Sequence, residues 1–216
     1  MFANPDLNGL MTMLDTNILS LGLAQTVFEC CMYTFVLLYT PALEQSIQNS
    51  GAAQGNLPLG YLFSGMMVMT MLGSIAFKIL SSKGFATDTL LSCALFISGA
   101  SFCFITLNTK NSTYTVMSFL MFEFTTGMYF PSIGTLRAQS IPEQNRTGVM
   151  AFLRVPMNFA VCMILLRVHD LPVGNIFQIC ALLNFVGGLA ILWRALDPAK
   201  SQSAHVVAKN EDSHEL

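Results

Sequence analysis

The chain has 216 residues, of which 53% are hydrophobic and only 10% are charged, and its formal net charge is -2. Soluble domains carry about 25% charged residues, so these charges are too few to give a 23.6 kDa globule a hydrated surface. Composition argues against a soluble enzyme and a disordered chain, and the nearly neutral charge argues against a nucleic-acid partner. An integral, multi-pass protein of the lipid bilayer remains.

Six apolar runs follow one another along the chain, each long enough to cross a bilayer as a helix of about 20 residues. Open sheet edges cannot face lipid, and the runs lack the alternation of barrel strands. The sequence therefore predicts an all-α membrane protein whose residues 17–196 form six transmembrane helices, with Pro41 ending the first. The runs are Ile18–Tyr39, Leu59–Leu80, Thr89–Leu107, Val116–Leu136, Val149–Val168 and Ile176–Leu196.

The distribution of Lys and Arg predicts the orientation. Six spans put both termini on one side, and positive residues stay cytosolic. Residues 1–16 are thus predicted to be a cytosolic segment and residues 197–216 a disordered cytosolic tail, while Trp193 and Arg194 suit an interfacial belt. The opposite loops carry only Lys110 and Arg167, whereas the predicted cytosolic side carries Lys78, Lys83, Arg137, Arg146, Arg194, Lys200 and Lys209.

Two glycosylation sequons report on this orientation. Asn111 begins a sequon in the loop predicted to lie outside, and Asn145 begins one in a loop predicted to be cytosolic. We therefore expect glycosylation at Asn111 alone, because sugar is added only to exported segments.

Glu29 lies midway along the first run, and Gln25 and Tyr33 are each four residues from it. This spacing predicts one polar stripe on a helix turned away from lipid. A charge at a helix centre costs about 2.5–3.5 kcal/mol on insertion scales, so it needs a partner or a wet cavity. The stripe either lines a substrate path, with Glu29 binding substrate or carrying a proton, or locks two helices together.

Glu123 lies in the fourth run, upstream of a segment rich in glycine and proline. That segment contains Gly127, Pro131 and Gly134, and Tyr129 between them is assigned with Glu123 to the predicted translocation path. Glycine and proline loosen a helix where substrate is held or where it bends during gating, although small residues also serve close packing.

Arg154 lies in the fifth run, two residues before Pro156, which is assigned with the fourth-run glycines to gating. Arginine stays charged and offers a bidentate donor fork to an oxyanion. Three roles are open: anion capture, a salt bridge to Glu29 or Glu123, and snorkelling to the headgroups. If one acid pairs with Arg154, the other is spare and could cycle a proton. All three charges are expected to face a shared wet crevice.

A resemblance to a known family rests on these residues together with their neighbours. The chain resembles the C-terminal six-helix half of a major facilitator superfamily transporter, and within it the molybdate-anion transporter branch. The superfamily's acidic-basic loop signature is degenerate here, over Gly73–Gly84. The matching segments are Leu21–Glu29, Met32–Val36, Tyr39–Leu43, Gly127–Ser132, Leu136-Arg137, Ile141–Glu143, Gly148-Val149 and Arg154–Pro156.

The resemblance implies uptake of molybdate, a tetrahedral oxyanion, by alternating access at the plasma membrane. It also implies that the first and fourth helices line the cavity, while the third and sixth face outward. The N-terminal half is missing, so the expected partners are such a half or a second copy of the chain. The alternatives are a facilitator of an organic anion or sugar, and a non-transporting scaffold or regulatory fragment. No enzyme motif occurs, and no cofactor or metal is expected.

Overall fold

The structure, a computed structural model, describes residues 16–50, 59–108, 111–141, 146–167 and 171–196, and over 146–167 it describes only part of the side chains. Every regular element in these ranges is an α-helix, which confirms the predicted all-α class. The segment predictions for residues 1–16 and 197–216 lie outside the described residues, apart from Thr16. The helices are α1 (Thr16–Asn49), α2 (Leu59–Ser82), α3 (Thr87–Leu107), α4 (Ser112–Ser140), α5 (Arg146–Arg167) and α6 (Val173–Ala195).

Each described helix overlaps one of the predicted apolar runs. Within the described part, α1, α2, α3 and α6 are long and apolar enough to cross a membrane by length and composition. A spanning position for α4 and α5, and with it the count of six spans, stays a prediction. The structure thus supports an integral membrane protein with at least four candidate spans.

The expectation that Pro41 ends the first helix is wrong, because α1 continues past it to complete 34 residues. A proline removes one backbone hydrogen bond from a helix, and tertiary packing holds the turns that follow. Ala42 and Leu43 are buried, and the Ser46 hydroxyl forms a 3.0 Å hydrogen bond with the Thr115 hydroxyl of α4. At 1.5 Å per residue α1 is about 50 Å long, which exceeds a hydrocarbon layer of about 30 Å.

Helix α1 contacts three other helices of the bundle. It packs against α4, α5 and α6, while α3 packs against α4 and α6, and α2 packs mainly against α4. Buried aromatic rings fill the space between α1, α3 and α4. Phe122 lies at their centre, with ring centroids 4.6 Å from Phe35 and 4.7 Å from Phe102. This contact fixes the position of α4 against α1, where the polar side chains meet.

Helix α2 presents most of its surface outward. Its buried residues are Met66 and Gly73, whereas large apolar side chains such as Val68, Met71 and Ile75 are exposed. An exposed apolar surface of this extent is typical of a protein that meets lipid or another bundle of helices. The α2 side chains that do face inward therefore serve its contact with α4.

Candidate functional site

Glu29 on α1 contacts two polar side chains of α4. Its Oε1 accepts hydrogen bonds from the Tyr129 hydroxyl at 3.2 Å and from Arg137 Nη2 at 3.3 Å, and the second contact is also an ion pair. The side chains of Glu29 and Arg137 are 14% and 17% exposed. The three residues Glu29, Tyr129 and Arg137 are termed here the Arg137 cluster. Glu29 and Arg137 are largely shielded from solvent but still accessible, whereas Tyr129 is fully buried.

Aromatic stacking brings the three residues of the Arg137 cluster together. The Phe28 ring stacks on the Tyr129 ring with centroids 4.0 Å apart and planes inclined by 16°, and both rings are fully buried. Glu29 is the residue after Phe28 in α1. The stacked rings hold α1 and α4 together at this point, where the Tyr129 hydroxyl lies within hydrogen-bond distance of the Glu29 carboxylate. Arg137 lies eight residues beyond Tyr129, about two helical turns along α4.

The Arg137 guanidinium keeps donors to spare. It has five N–H groups, and its Nε is buried with no hydrogen-bond partner among the described residues. A guanidinium that pairs one carboxylate and retains free donors can bind an oxyanion through two parallel hydrogen bonds. Because Glu29 balances its charge in the absence of an anion, an arriving anion would compete with Glu29 for Arg137.

The predicted stripe of Gln25, Glu29 and Tyr33 does not face one environment. Gln25 is 2% exposed and Tyr33 is 45% exposed, with Glu29 between them in accessibility. Residues four apart in a helix are rotated by about 40° relative to each other, so eight residues turn the face by about 80°. Gln25 therefore points into the bundle and Tyr33 away from it, and only Glu29 enters the cluster.

Glu123 on α4 turns toward α2 and is 6% exposed. Its Oε2 lies 2.9 Å from Oγ1 of Thr70. Arg137 is 14 residues further along the same helix, about 21 Å away at 1.5 Å per residue. No described contact joins Glu123 to Glu29 or Arg154, so a wet crevice shared by all three charges stays a prediction.

Helices α2 and α4 cross with their backbones nearly in contact. A Cβ added to Gly73 would overlap a backbone carbonyl of α4, and one added to Gly127 would overlap the Thr70 carbonyl. Pro131 has no N–H, so the Gly127 carbonyl lacks its usual helical donor. The Ser74 hydroxyl donates to that carbonyl at 3.0 Å. Gly127 thus serves close packing, and α4 is continuous through it and Pro131.

Two further residues, Gly134 and Pro156, were also assigned to gating. Gly134 is exposed, with nothing within 4 Å of the place a Cβ would occupy. Pro156 lies within α5, and its side chain lies outside the described residues. A gating role for these residues stays a prediction.

Arg154 is exposed on α5. The alternative in which it forms a salt bridge with Glu29 is wrong, because the cation beside Glu29 is Arg137. In the described part of the chain Arg154 has no ion-pair partner, which leaves anion capture and snorkelling as its open roles. Arg137, which the predicted end of the fourth run at Leu136 places in the following loop, lies instead in the last turn of α4.

Asn111 immediately precedes α4. Its Oδ1 accepts a hydrogen bond from the Thr113 backbone N–H at 3.1 Å, so it caps the helix N-terminus. The side chain that begins the sequon is exposed, and its glycosylation stays a prediction.

A second ion pair joins three helix ends. Arg194 near the end of α6 lies 3.4 Å from Asp88 at the start of α3, and it donates to the hydroxyl of Ser140, the last residue of α4, at 2.7 Å. Arg194 is 3% exposed and Trp193 is 78% exposed, so the arginine is enclosed by the helix ends, and a position of the two residues in an interfacial belt stays a prediction. Only the tryptophan faces outward.

Removing the carboxylate of this second pair should destabilise the protein. Asp88→Asn removes the carboxylate that lies beside the buried Arg194 guanidinium, and breaking a buried pair costs about 3–5 kcal/mol. We expect a clearly lower melting temperature in detergent micelles. Glu44→Gln removes the same charge from an exposed site of α1 and is the control. Equal melting temperatures for the two variants would contradict a stabilising role for the pair.

Sequence reasoning missed Arg137 and Arg194 as site residues. Both lie near the ends of apolar runs, where basic residues are common because they keep the flanking segment on the cytosolic side of the membrane. The available signal was Arg137's position, eight residues after Tyr129 within one continuous helix. Their acidic partners lie more than a hundred residues away in Glu29 and Asp88, and spacing along the chain does not report such pairs.

Comparison with known proteins places the chain in a family. Residues 10–119, about half of its 216 residues, match the model of a family described as sugar transporters with twelve transmembrane segments. The chain belongs to this family of the major facilitator superfamily. The resemblance inferred from the sequence is thereby confirmed at the level of the superfamily.

Curated relatives point to one branch of the superfamily. A molybdate-anion transporter of Xenopus tropicalis is 31% identical over 188 residues, which are 82% of this chain and 40% of that protein. A molybdate-anion transporter of Danio rerio is 31% identical over 167 residues, 74% of this chain and 33% of that protein. The chain thus spans about 40% of the length of the Xenopus relative. No solved structure matches it.

Proposed function

We propose that this chain is one six-helix half of a membrane transporter that moves molybdate or a similar tetrahedral oxyanion by alternating access. Its partner would be an N-terminal six-helix half or a second copy of the chain. The similarity to molybdate-anion transporters over 82% of the chain supports the substrate class. The Arg137 cluster is the observation that carries the proposal, because it holds a partly accessible guanidinium with an unpartnered Nε inside the bundle.

The proposed path runs between α1 and α4. The oxyanion binds Arg137 through two N–H groups and displaces Glu29, and the Tyr129 hydroxyl stays within reach of either. Rocking of the two halves would then expose the cluster to one side of the membrane and afterwards to the other. Arg154 is a second candidate for anion contact, at an exposed position on α5.

Uptake of radioactive molybdate tests the proposal. Cells expressing this chain alone are compared with cells that also express the N-terminal six helices of the Xenopus tropicalis relative. One six-helix half cannot enclose a transport path on both sides, so we expect uptake only where a second half is available. That half can come from the co-expressed helices or from a second copy of this chain. Absence of uptake in both settings, with the chain present in the membrane, would favour a scaffold or regulatory fragment.

Sugar transport is the second candidate, because the family whose model matches residues 10–119 is described as sugar transporters. Competition separates the two: an excess of neutral sugar should leave molybdate uptake unchanged, while sulfate of the same tetrahedral shape should reduce it. Inhibition by the sugar alone would reverse the assignment.

A further inference from the structure

Gln25 on α1 carries a buried amide that no described contact satisfies. The residue is 2% exposed, and its Oε1 is buried without a hydrogen-bond partner among the described residues. Polar side chains in an apolar interior normally have a partner, because a buried group that has lost water and gained no hydrogen bond is costly. A leucine would fill the same space without this cost. The amide therefore needs an explanation other than packing.

Helices α1 and α4 run in opposite directions. The Ser46 hydroxyl of α1 meets the Thr115 hydroxyl of α4 near one end of the pair, and the Phe28 ring meets the Tyr129 ring further along. Each step toward the N-terminus of α1 therefore corresponds to a step toward the C-terminus of α4. Gln25, three residues before Phe28, is thus level with the turn of α4 that follows Tyr129.

The Arg137 side chain crosses the same level. Arg137 lies about two turns beyond Tyr129 along α4, yet its Nη2 reaches back to Glu29, which also contacts Tyr129. The guanidinium therefore lies beside the stretch of α1 that contains Glu29 and Gln25, which are about one helical turn apart. Its Nε is also buried without a hydrogen-bond partner in the described structure. One buried acceptor and one buried donor thus remain unused at one level of the α1–α4 contact.

We propose that Gln25 is a direct ligand of the transported oxyanion and determines which oxyanions the site accepts. The anion binds between the Gln25 amide and the Arg137 guanidinium, deeper in the bundle than the more exposed Glu29. An amide has two N–H donors and one carbonyl acceptor. It donates to an oxyanion without hydrogen, such as molybdate or sulfate. After a half-turn of the amide, its carbonyl accepts from the hydroxyl of a phosphate.

This inference deepens the proposed oxyanion transport and rests on it. A protein partner for the amide would compete with the anion, as Glu29 does at Arg137, and would weaken binding. An amide without such a partner stays available to the anion, at a cost in stability. Binding sites commonly carry such a cost, because groups placed for binding a ligand are rarely the best ones for folding.

Replacement of Gln25 by an apolar side chain tests whether the amide serves binding or folding. Gln25→Leu removes the unsatisfied amide and fills similar space, so the melting temperature of the full chain in detergent micelles should stay equal or rise. Gln48→Leu makes the same change at an exposed position of α1 and is the control. An amide that locks two helices together would be lost with a fall in melting temperature. A lower value for Gln25→Leu than for Gln48→Leu would overturn the inference.

Oxyanion binding to the same detergent-solubilised chain tests the contact itself. Sodium molybdate and sodium sulfate should each raise the melting temperature of the unmodified chain, because a ligand that binds only the folded state stabilises it. Gln25→Leu should need about ten times more of either anion for the same rise, as expected for the loss of one hydrogen bond to a charged group. Gln48→Leu should respond as the unmodified chain does. An undiminished response of Gln25→Leu would contradict the proposed contact.

Gln25→Glu distinguishes a ligand of the anion from a residue that only supports Arg137. The carboxylate has the same shape as the amide but no N–H group, so it accepts hydrogen bonds and donates none. At neutral pH, phosphate keeps at least one hydroxyl, whereas molybdate and sulfate have none. The variant should therefore lose its response to molybdate and sulfate and keep part of its response to phosphate. An equal loss for all three anions would refute the selectivity.

These results are separable from those of the transport experiment. Anion binding that is lost in Arg137→Gln but unchanged in Gln25→Leu would refute the Gln25 contact and leave the transport proposal standing. Binding that depends on Gln25, without uptake in the assembly of two halves, would refute transport and leave the contact standing. An unmodified chain that responds to none of the three oxyanions would refute both.

Discussion

Arg137→Gln is expected to abolish molybdate uptake. The change removes the guanidinium that would bind the oxyanion and leaves the Glu29 carboxylate without its cation. An unpaired charge in a transmembrane helix costs about 2.5–3.5 kcal/mol on insertion scales, so some loss of expression is also expected. Arg137→Lys keeps the charge but loses the bidentate fork, and we expect about a tenfold weaker affinity, which corresponds to 1.4 kcal/mol. Labelled uptake across a range of molybdate concentrations measures both effects.

A double variant separates the functional from the structural effect of Arg137. Glu29→Gln combined with Arg137→Gln removes both charges, so the protein should accumulate normally in the membrane while uptake stays absent. Arg154→Gln is the matched control, since Arg154 is a cation of α5 with an exposed side chain. Normal uptake by the well-expressed double variant would show that the anion binds elsewhere. A complete loss in Arg154→Gln alone would assign capture to Arg154.

Gly127→Val is expected to separate α2 from α4 and to lower the stability of the bundle strongly. A side chain there would overlap the Thr70 backbone carbonyl, and backbone cannot yield as a flexible side chain does. Overpacking of a filled interior costs about 1–3 kcal/mol, and more where backbone must move. The melting temperature in detergent and the yield of folded protein measure the loss.

Gly134→Val is the matched control for this prediction. It makes the same change in the same helix seven residues further on, at a place with open space around the glycine. We expect its melting temperature to stay close to that of the unmodified chain. If Gly127→Val were as stable as Gly134→Val, the close crossing of α2 and α4 would be refuted.

The apolar runs located the helices well, because length and hydropathy are properties of the chain itself. Run limits were less accurate where packing intervened. Pro41 stands inside α1 because buried residues on its far side hold the helix together. The start of α4 lies before the predicted Val116, since Asn111 caps the helix there.

Which residues form the candidate site depends on contacts between helices that are far apart in the sequence. The sequence singled out Glu29 and Glu123 because charged residues are rare inside apolar runs, and Tyr129 because it lies in the segment rich in glycine and proline. It offered Arg154 as one possible partner of Glu29 and did not consider Arg137, which lies 108 residues away beyond the predicted end of the fourth run. It also treated Gly127 and Pro131 as a break, whereas Ser74 supplies the donor that the proline lacks.

The sequence by itself determined that this is a helical membrane protein, because scarce charges and long apolar runs leave no other way to satisfy the backbone in lipid. The superfamily followed from the resemblance of its segments to known transporters and not from composition. The sequence also singled out Glu29 and Glu123 as the acidic side chains inside apolar runs. The tertiary structure alone decided their partners: Arg137 for Glu29 and Thr70 for Glu123. The physical reason is that a buried charge or hydroxyl is satisfied by whatever group the neighbouring helix brings within about 3 Å, and that group is set by packing across the bundle.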